Sequence, residues 1–132
     1  MKLQYLLLRL KLYLWIAIII YGCLSPASSL PKVPLFVIPY FDKFVHFTLF
    51  FGLGILLIRH LIVINLLKTH KAVIVGFLLT ILLAIATELL QNILPINRDA
   101  DFFDFLADFA GIACSIISIR LFNEYRWFRF IF

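Results

Sequence analysis

Charge is scarce in this chain. Only 14% of its 132 residues are charged and 64% are hydrophobic, with a mean hydropathy of +1.09. A soluble domain carries about a quarter charged and half apolar residues. A water-soluble fold of this length has too little interior to hide so much apolar surface, so the sequence implies a protein covered by lipid. Cysteine is nearly absent: Cys23 and Cys114 lie in apolar segments, match no metal-ligand spacing and indicate no disulfide. There is no H-E-x-x-H pair. No serine or cysteine nucleophile accompanies the acidic residues described below. Internal repeats and low-complexity segments are also missing.

Four apolar runs are present, each near the roughly 20 residues a membrane span needs. They cover about residues 6–24, 44–66, 72–94 and 102–122. The expected fold is therefore all-α: a single domain over residues 1–132, a polytopic bundle of about four transmembrane helices with no separate soluble module. Arg9 and Lys11 can snorkel from the first run to the interface. A loop with Pro26, Pro31, Pro34 and Pro39 separates it from the second. Arg59 and His60 interrupt the second run, so its spanning part is expected to end near Ile58. The third run has no lysine or arginine and ends at Pro95. A tail with Arg126, Trp127, Arg129 and Phe132 mixes aromatic and basic residues as interface anchors do. One alternative concerns the start: Lys2, an apolar run and Ile20-Tyr21-Gly22-Cys23 also resemble a lipoprotein signal cleaved before Cys23.

The net charge of +5 follows membrane topology and not nucleic-acid binding, because the basic residues are dispersed around the apolar runs. With four helices, nine basic residues fall on the side of both termini and three (Lys32, Lys43, Arg98) on the other. The positive-inside rule makes the first side cytoplasmic. Six of the seven acidic residues gather on the opposite, outer side: Asp42, Glu88, Asp99, Asp101, Asp104 and Asp108.

Their spacing gives this gathering a shape. Asp42 and His46 are four apart at the start of the second helix, one above the other, and Asp42 is placed to cap that helix. Lys43 between them suits an interface lysine. Thr80, Ala84, Thr87, Glu88 and Gln91 share one stripe of the third helix, and an ionisable Glu88 inside a span is a functional candidate. Asp101, Asp104, Asp108, Gly111 and Ser115 follow at spacings of three, four, three and four, on one face of the fourth helix. Ala107, Gly111 and Ser115 form a small-xxx-small row that favours tight packing. Arg98 is the expected counter-charge, with a planar fork suited to two carboxylates or an anionic headgroup. Asp99 reads as a solvated loop residue.

In this order the motifs resemble the VanZ-like family of small bacterial membrane proteins, whose namesake is linked to teicoplanin resistance. The matching residues are Leu24-Ser25-Pro26, Asp42-Lys43-Phe44-Val45-His46-Phe47, Phe50, Leu53-Gly54, Glu88-Leu89-Leu90-Gln91, Pro95, Arg98, Asp104 and Gly111. The likeness covers most of residues 24–118. Asp108 stands where that family would have Asn, and Ser115 where a second Gly is common.

Three functions fit. In the first, an outer-side pocket of Asp42, Lys43, His46, Glu88, Gln91, Arg98, Asp101, Asp104 and Asp108 binds an anionic lipid-linked envelope intermediate or a glycopeptide-type antibiotic. Lys43, Arg98 and His46 would then contact the phosphate or carboxylate. In the second, Glu88, Asp104 and His46 are the catalytic candidates of a membrane-embedded enzyme, with a divalent cation or as acid and base. In the third, the polar groups only pair with one another and fix the fold. Membrane lipids are the expected surroundings, no cofactor is implied, the resemblance implies a bacterial cytoplasmic membrane, and the positive-inside distribution puts both termini inside.

Overall fold

In lipid, every backbone N–H and C=O must be satisfied within the chain, which favours long helices. The computed structural model describes residues 2–26, 40–64, 67–96 and 101–132. These form α1 (Lys2–Leu24), α2 (Phe41–Val63), α3 (Thr69–Ile93), α4 (Phe102–Phe122) and the short α5 (Arg126–Ile131). No strand occurs among the described residues. The first four helices are each long and apolar enough to cross a membrane, and together they make the architecture of a multi-pass membrane protein. At about 1.5 Å per residue, spans of 21 to 25 residues match a hydrocarbon core of about 30 Å.

The helix ends follow local chemistry. α2 begins three residues before the apolar run because Tyr40, in the left-handed region at φ 63°, turns the chain into it. Asp42 is therefore not the cap. It sits inside the first turn, where its charge still meets the positive dipole end. The carboxylate that caps a helix is Asp101, which accepts a 2.8 Å hydrogen bond from Phe103 N at the start of α4. α3 stops at Ile93, and Leu94 is extended (φ −77°, ψ 145°), as a residue before proline tends to be. Both ends of α4 fall where the apolar run places them.

α2 continues as a helix through Arg59 and His60 to Val63. Arg59 is buried, its Nη1 donates to Phe128 O at 3.1 Å, and its guanidinium lies 6.0 Å from the Phe128 ring centroid. The tail that supplies these partners is not only an interface anchor. It folds as α5 and returns Phe128 to the interior. Lys11 reaches the end of α5 and donates to Phe130 O and Ile131 O, satisfying carbonyls that a helix end leaves open.

α2 is the axis of the bundle. Its most apolar window is 61% buried, against 22–33% in the other three spans. Phe50, Leu53, Ile55, Leu56 and Ile58 from α2 centre the two apolar clusters. Trp15 of α1 joins it by donating to Leu49 O at 2.8 Å. Large apolar side chains such as Leu14, Leu82, Phe103 and Ile117 face outward, where lipid covers them.

The tightest approach is between α2 and α4. A Cβ on Gly111 would strike the backbone of α2 at Phe47 O and Phe51 N, and one on Gly54 would strike Ser115 Oγ. Gly111 and Ser115 are buried, so the small-residue row of α4 is the surface on which α2 rests. Gly111→Ala should therefore push α2 from α4 and lower stability by about 1–3 kcal/mol. Ile117→Ala on the lipid face should change it far less. Thermal unfolding in detergent checks both.

Candidate functional site

The end of α1, the start of α2, the end of α3 and the start of α4 meet at one end of the bundle. Gln91 Nε2 of α3 donates to Cys23 O of α1 at 2.9 Å, closing one side. The facing helices supply the ionisable groups. Asp42, Lys43 and His46 come from α2, Glu88 from α3, Asp101 from the cap of α4, and Asp104 and Asp108 from α4 itself. Side-chain exposure falls from 49% at Asp42 through 13% at Asp104 and 9% at Glu88 to 0% at Asp108. The cluster is thus a polar shaft of side chains that runs from the exposed bundle end into the interior.

Lys43 closes the upper part. Its Nζ lies 2.8 Å from Asp42 Oδ2, 2.6 Å from Asp101 Oδ2 and 2.7 Å from Asp104 Oδ1. An ammonium has three N–H donors, and all three are engaged. This pairing holds the Asp101 carboxyl below the ordinary value of 3.8, the hydrogen bond from Lys43 being the main cause and that from Phe103 N the next.

His46 organises the lower part. Its Nδ1 is 3.0 Å from Asp108 Oδ1. With Asp108 ionised, its carboxylate only accepts, so Nδ1 donates to it, and Nε2 faces Asp104 Oδ2 at 3.9 Å. Glu88 Oε1 stands 3.9 Å from Nδ1. Glu88 Oε2 accepts from Asp101 N at 3.1 Å, which ties α3 to the first turn of α4. Glu88 Oε1 and Asp108 Oδ2 are buried and find no hydrogen-bond partner among the described residues.

Below this layer polarity stops. Thr87 bonds back to Leu83 O and Ala84 O, and Thr80 to Gly76 O, so both hydroxyls are satisfied within α3. Phe50, Leu53, Ala84 and Ile112 fill the space with apolar atoms. No polar path crosses the bundle among the described residues.

Of the residues singled out in the sequence, Asp42, Lys43, His46, Glu88, Asp101, Asp104 and Asp108 are brought together. Gln91 turns to α1 instead. Arg98, the expected counter-charge, and Asp99 lie outside the described residues. The counter-charge the structure displays is Lys43. The double use of Asp101, as helix cap and as Lys43 partner, was missed in the sequence; its place immediately before the apolar run at Phe102 was the available signal. The commonest metal-binding residue types do converge: His46, Glu88 and Asp104 each bring a ligand atom within 4.8 Å of the others. Asp42, Asp101 and Asp104 do so too, but around the Lys43 ammonium.

Because Asp101 is depressed on folding, its pairing stabilises the protein fully above the ordinary carboxylate value and is lost as pH falls through the folded one. Asp101→Asn keeps a capping side chain but removes the charge. Between about pH 5 and pH 2 the wild type should lose more stability than Asp101→Asn, measured as the difference between their unfolding midpoints. No protein-family model matches the chain, and neither a curated protein nor a solved structure is significantly similar to it.

Proposed function

We propose that this chain is a VanZ-like protein of the bacterial cytoplasmic membrane, with both termini inside. Its polar shaft would receive the head group of a lipid-attached ligand from the outer leaflet. The observation that carries this reading is the shaft itself: His46, Glu88, Asp104 and Asp108 converge inside spanning segments, where an ionisable group is expensive unless it has a role. The positive-inside distribution supports the orientation, and the ordered motifs from Leu24 to Gly111 support the family.

The ligand class is a lipid-linked envelope intermediate or a glycopeptide-type antibiotic with a lipid tail. The geometry changes how such a ligand is held. Lys43 is fully occupied by its three carboxylates, so it does not offer itself to a phosphate. The open positions are acceptors, Glu88 Oε1 and Asp108 Oδ2. A cationic or donor group of the ligand fits them directly, and a phosphate fits them through an intervening cation.

A second reading is favoured by the His46–Asp108 pair. A buried carboxylate on one imidazole nitrogen, with the other nitrogen open, is the arrangement of a general base. A lipid-phosphate hydrolase would release inorganic phosphate from a polyprenyl phosphate in detergent, and His46→Gln would abolish that release.

For the binding reading, Glu88→Gln and Asp104→Asn should remain folded and lose the ligand. In a host lacking its own copy, the wild type should raise tolerance to a lipoglycopeptide several-fold, and both variants should return it to the background. Full tolerance in both variants would sink this reading and leave pairing within the fold as the role of these groups.

A further inference from the structure

The shaft is short of positive charge. Among the described residues five carboxylates surround one ammonium and one imidazole. Lys43 balances the upper, more open part. Among the described residues no comparable cation reaches Glu88 at the level of His46. Leaving charges uncompensated at that depth is costly, so something positive belongs there.

The free atoms say what kind of group it is. Glu88 Oε1 is buried without a hydrogen-bond partner, on a side chain only 9% exposed. With Nδ1 donating to an ionised Asp108 at 3.0 Å, neutral His46 keeps a lone pair on Nε2. Asp104 uses Oδ1 for Lys43 and turns Oδ2 to His46 Nε2. The imidazole lies between the two carboxylates, Nδ1 3.9 Å from Glu88 Oε1 and Nε2 3.9 Å from Asp104 Oδ2, and one ligand atom from each of the three residues stands within 4.8 Å of the others. A cation about 2.0–2.2 Å from each ligand atom needs them no more than about 4.4 Å apart, so small side-chain rotations toward it close the gap. The carboxylate behind the imidazole matches the outer partner that metal-binding histidines usually have, which fixes the tautomer and the ring orientation.

We propose that His46, Glu88 and Asp104 hold one divalent transition cation, with Asp108 positioning His46. A mixed imidazole and carboxylate set suits Zn2+ or Mn2+. A divalent ion offsets two of the carboxylate charges gathered at this depth and so reduces the charge deficit. Three protein ligands leave coordination positions open toward the mouth of the shaft, where a phosphate oxygen of an outer-leaflet lipid can bind. The inference deepens the head-group reading above and rests on it for the ligand, but not for the ion.

The test uses the full chain in nanodiscs of phosphatidylcholine, with and without polyprenyl phosphate. After loading with Zn2+ and desalting, the wild type should retain about one ion per chain, and Co2+ in its place should give visible d–d absorption bands. His46→Gln and Glu88→Gln should lose the ion and the bands, and Asp108→Asn should weaken affinity about 10–100-fold. Folding of each variant is checked by circular dichroism and elution volume. Should a variant fail to fold, displacement of Co2+ by Zn2+ in the wild type still reports the site. Retention of less than about a tenth of an ion by the wild type, or equal retention by folded variants, overturns the proposal. Retention of polyprenyl phosphate that persists in EDTA, with no ion bound, removes the cation and keeps the head-group reading. An ion bound without any lipid phosphate keeps the cation and removes that reading.

Discussion

Everything at the polar end of this protein depends on how closely α4 lies against α2. Gly111 permits that approach, since any side chain there would meet the α2 backbone at Phe47 and Phe51. One turn nearer the mouth, the same contact sets Asp108 3.0 Å from His46, and above it Asp104 2.7 Å from Lys43. Ion pairs buried in an apolar bundle are tolerable only with such geometry, because desolvation is repaid only by close, hydrogen-bonded partners. A backbone spacing larger by one methyl group would separate these pairs and leave charges alone inside the span.

The two ends of the bundle solve the charge problem differently. At the end with the acidic shaft, side chain meets side chain, and Lys43 gathers three carboxylates. At the other end, cations meet backbone. Arg59 and Lys11 donate to carbonyls of α5, and a helix C-terminus carries partial negative charge that favours them. The first arrangement leaves two buried acceptors without hydrogen-bond partners among the described residues; the second closes α5 onto the bundle. Between the two ends lies an apolar layer with Phe50, Leu53 and Ile112, and α3 hydroxyls bonded to their own carbonyls. The shaft is thus a blind site, suited to holding a group and not to passing one through.

Asp101 shows how local and tertiary roles combine in one residue. It caps α4 through Phe103 N, pairs with Lys43, and offers its own N–H to Glu88. Three helices are joined by that residue at 40% side-chain exposure. The buried residues beneath it, His46 and Asp108, gain their orientation from the frame it helps to set.

Much of this was legible in the sequence. Apolar runs of the right length specify helices, because lipid leaves the backbone no other partners, and Pro95 dictates where α3 ends. Residue spacing placed Glu88 with Thr87 and Ala84, and Asp104 with Asp108 and Gly111, because helical periodicity is a local property. What periodicity does not carry is distance between helices. Asp42 reads as a cap in the sequence and Asp101 as part of a helix face, yet only Asp101 caps, because Tyr40 takes the left-handed turn and moves Asp42 into the helix. Arg59 interrupts an apolar run in the sequence, and tertiary contact with Phe128 buries it within α2. Which cation balances which carboxylate, and which acceptors stay open, was decided only when α2, α3 and α4 packed, since pairing energy depends on separations that no single helix contains.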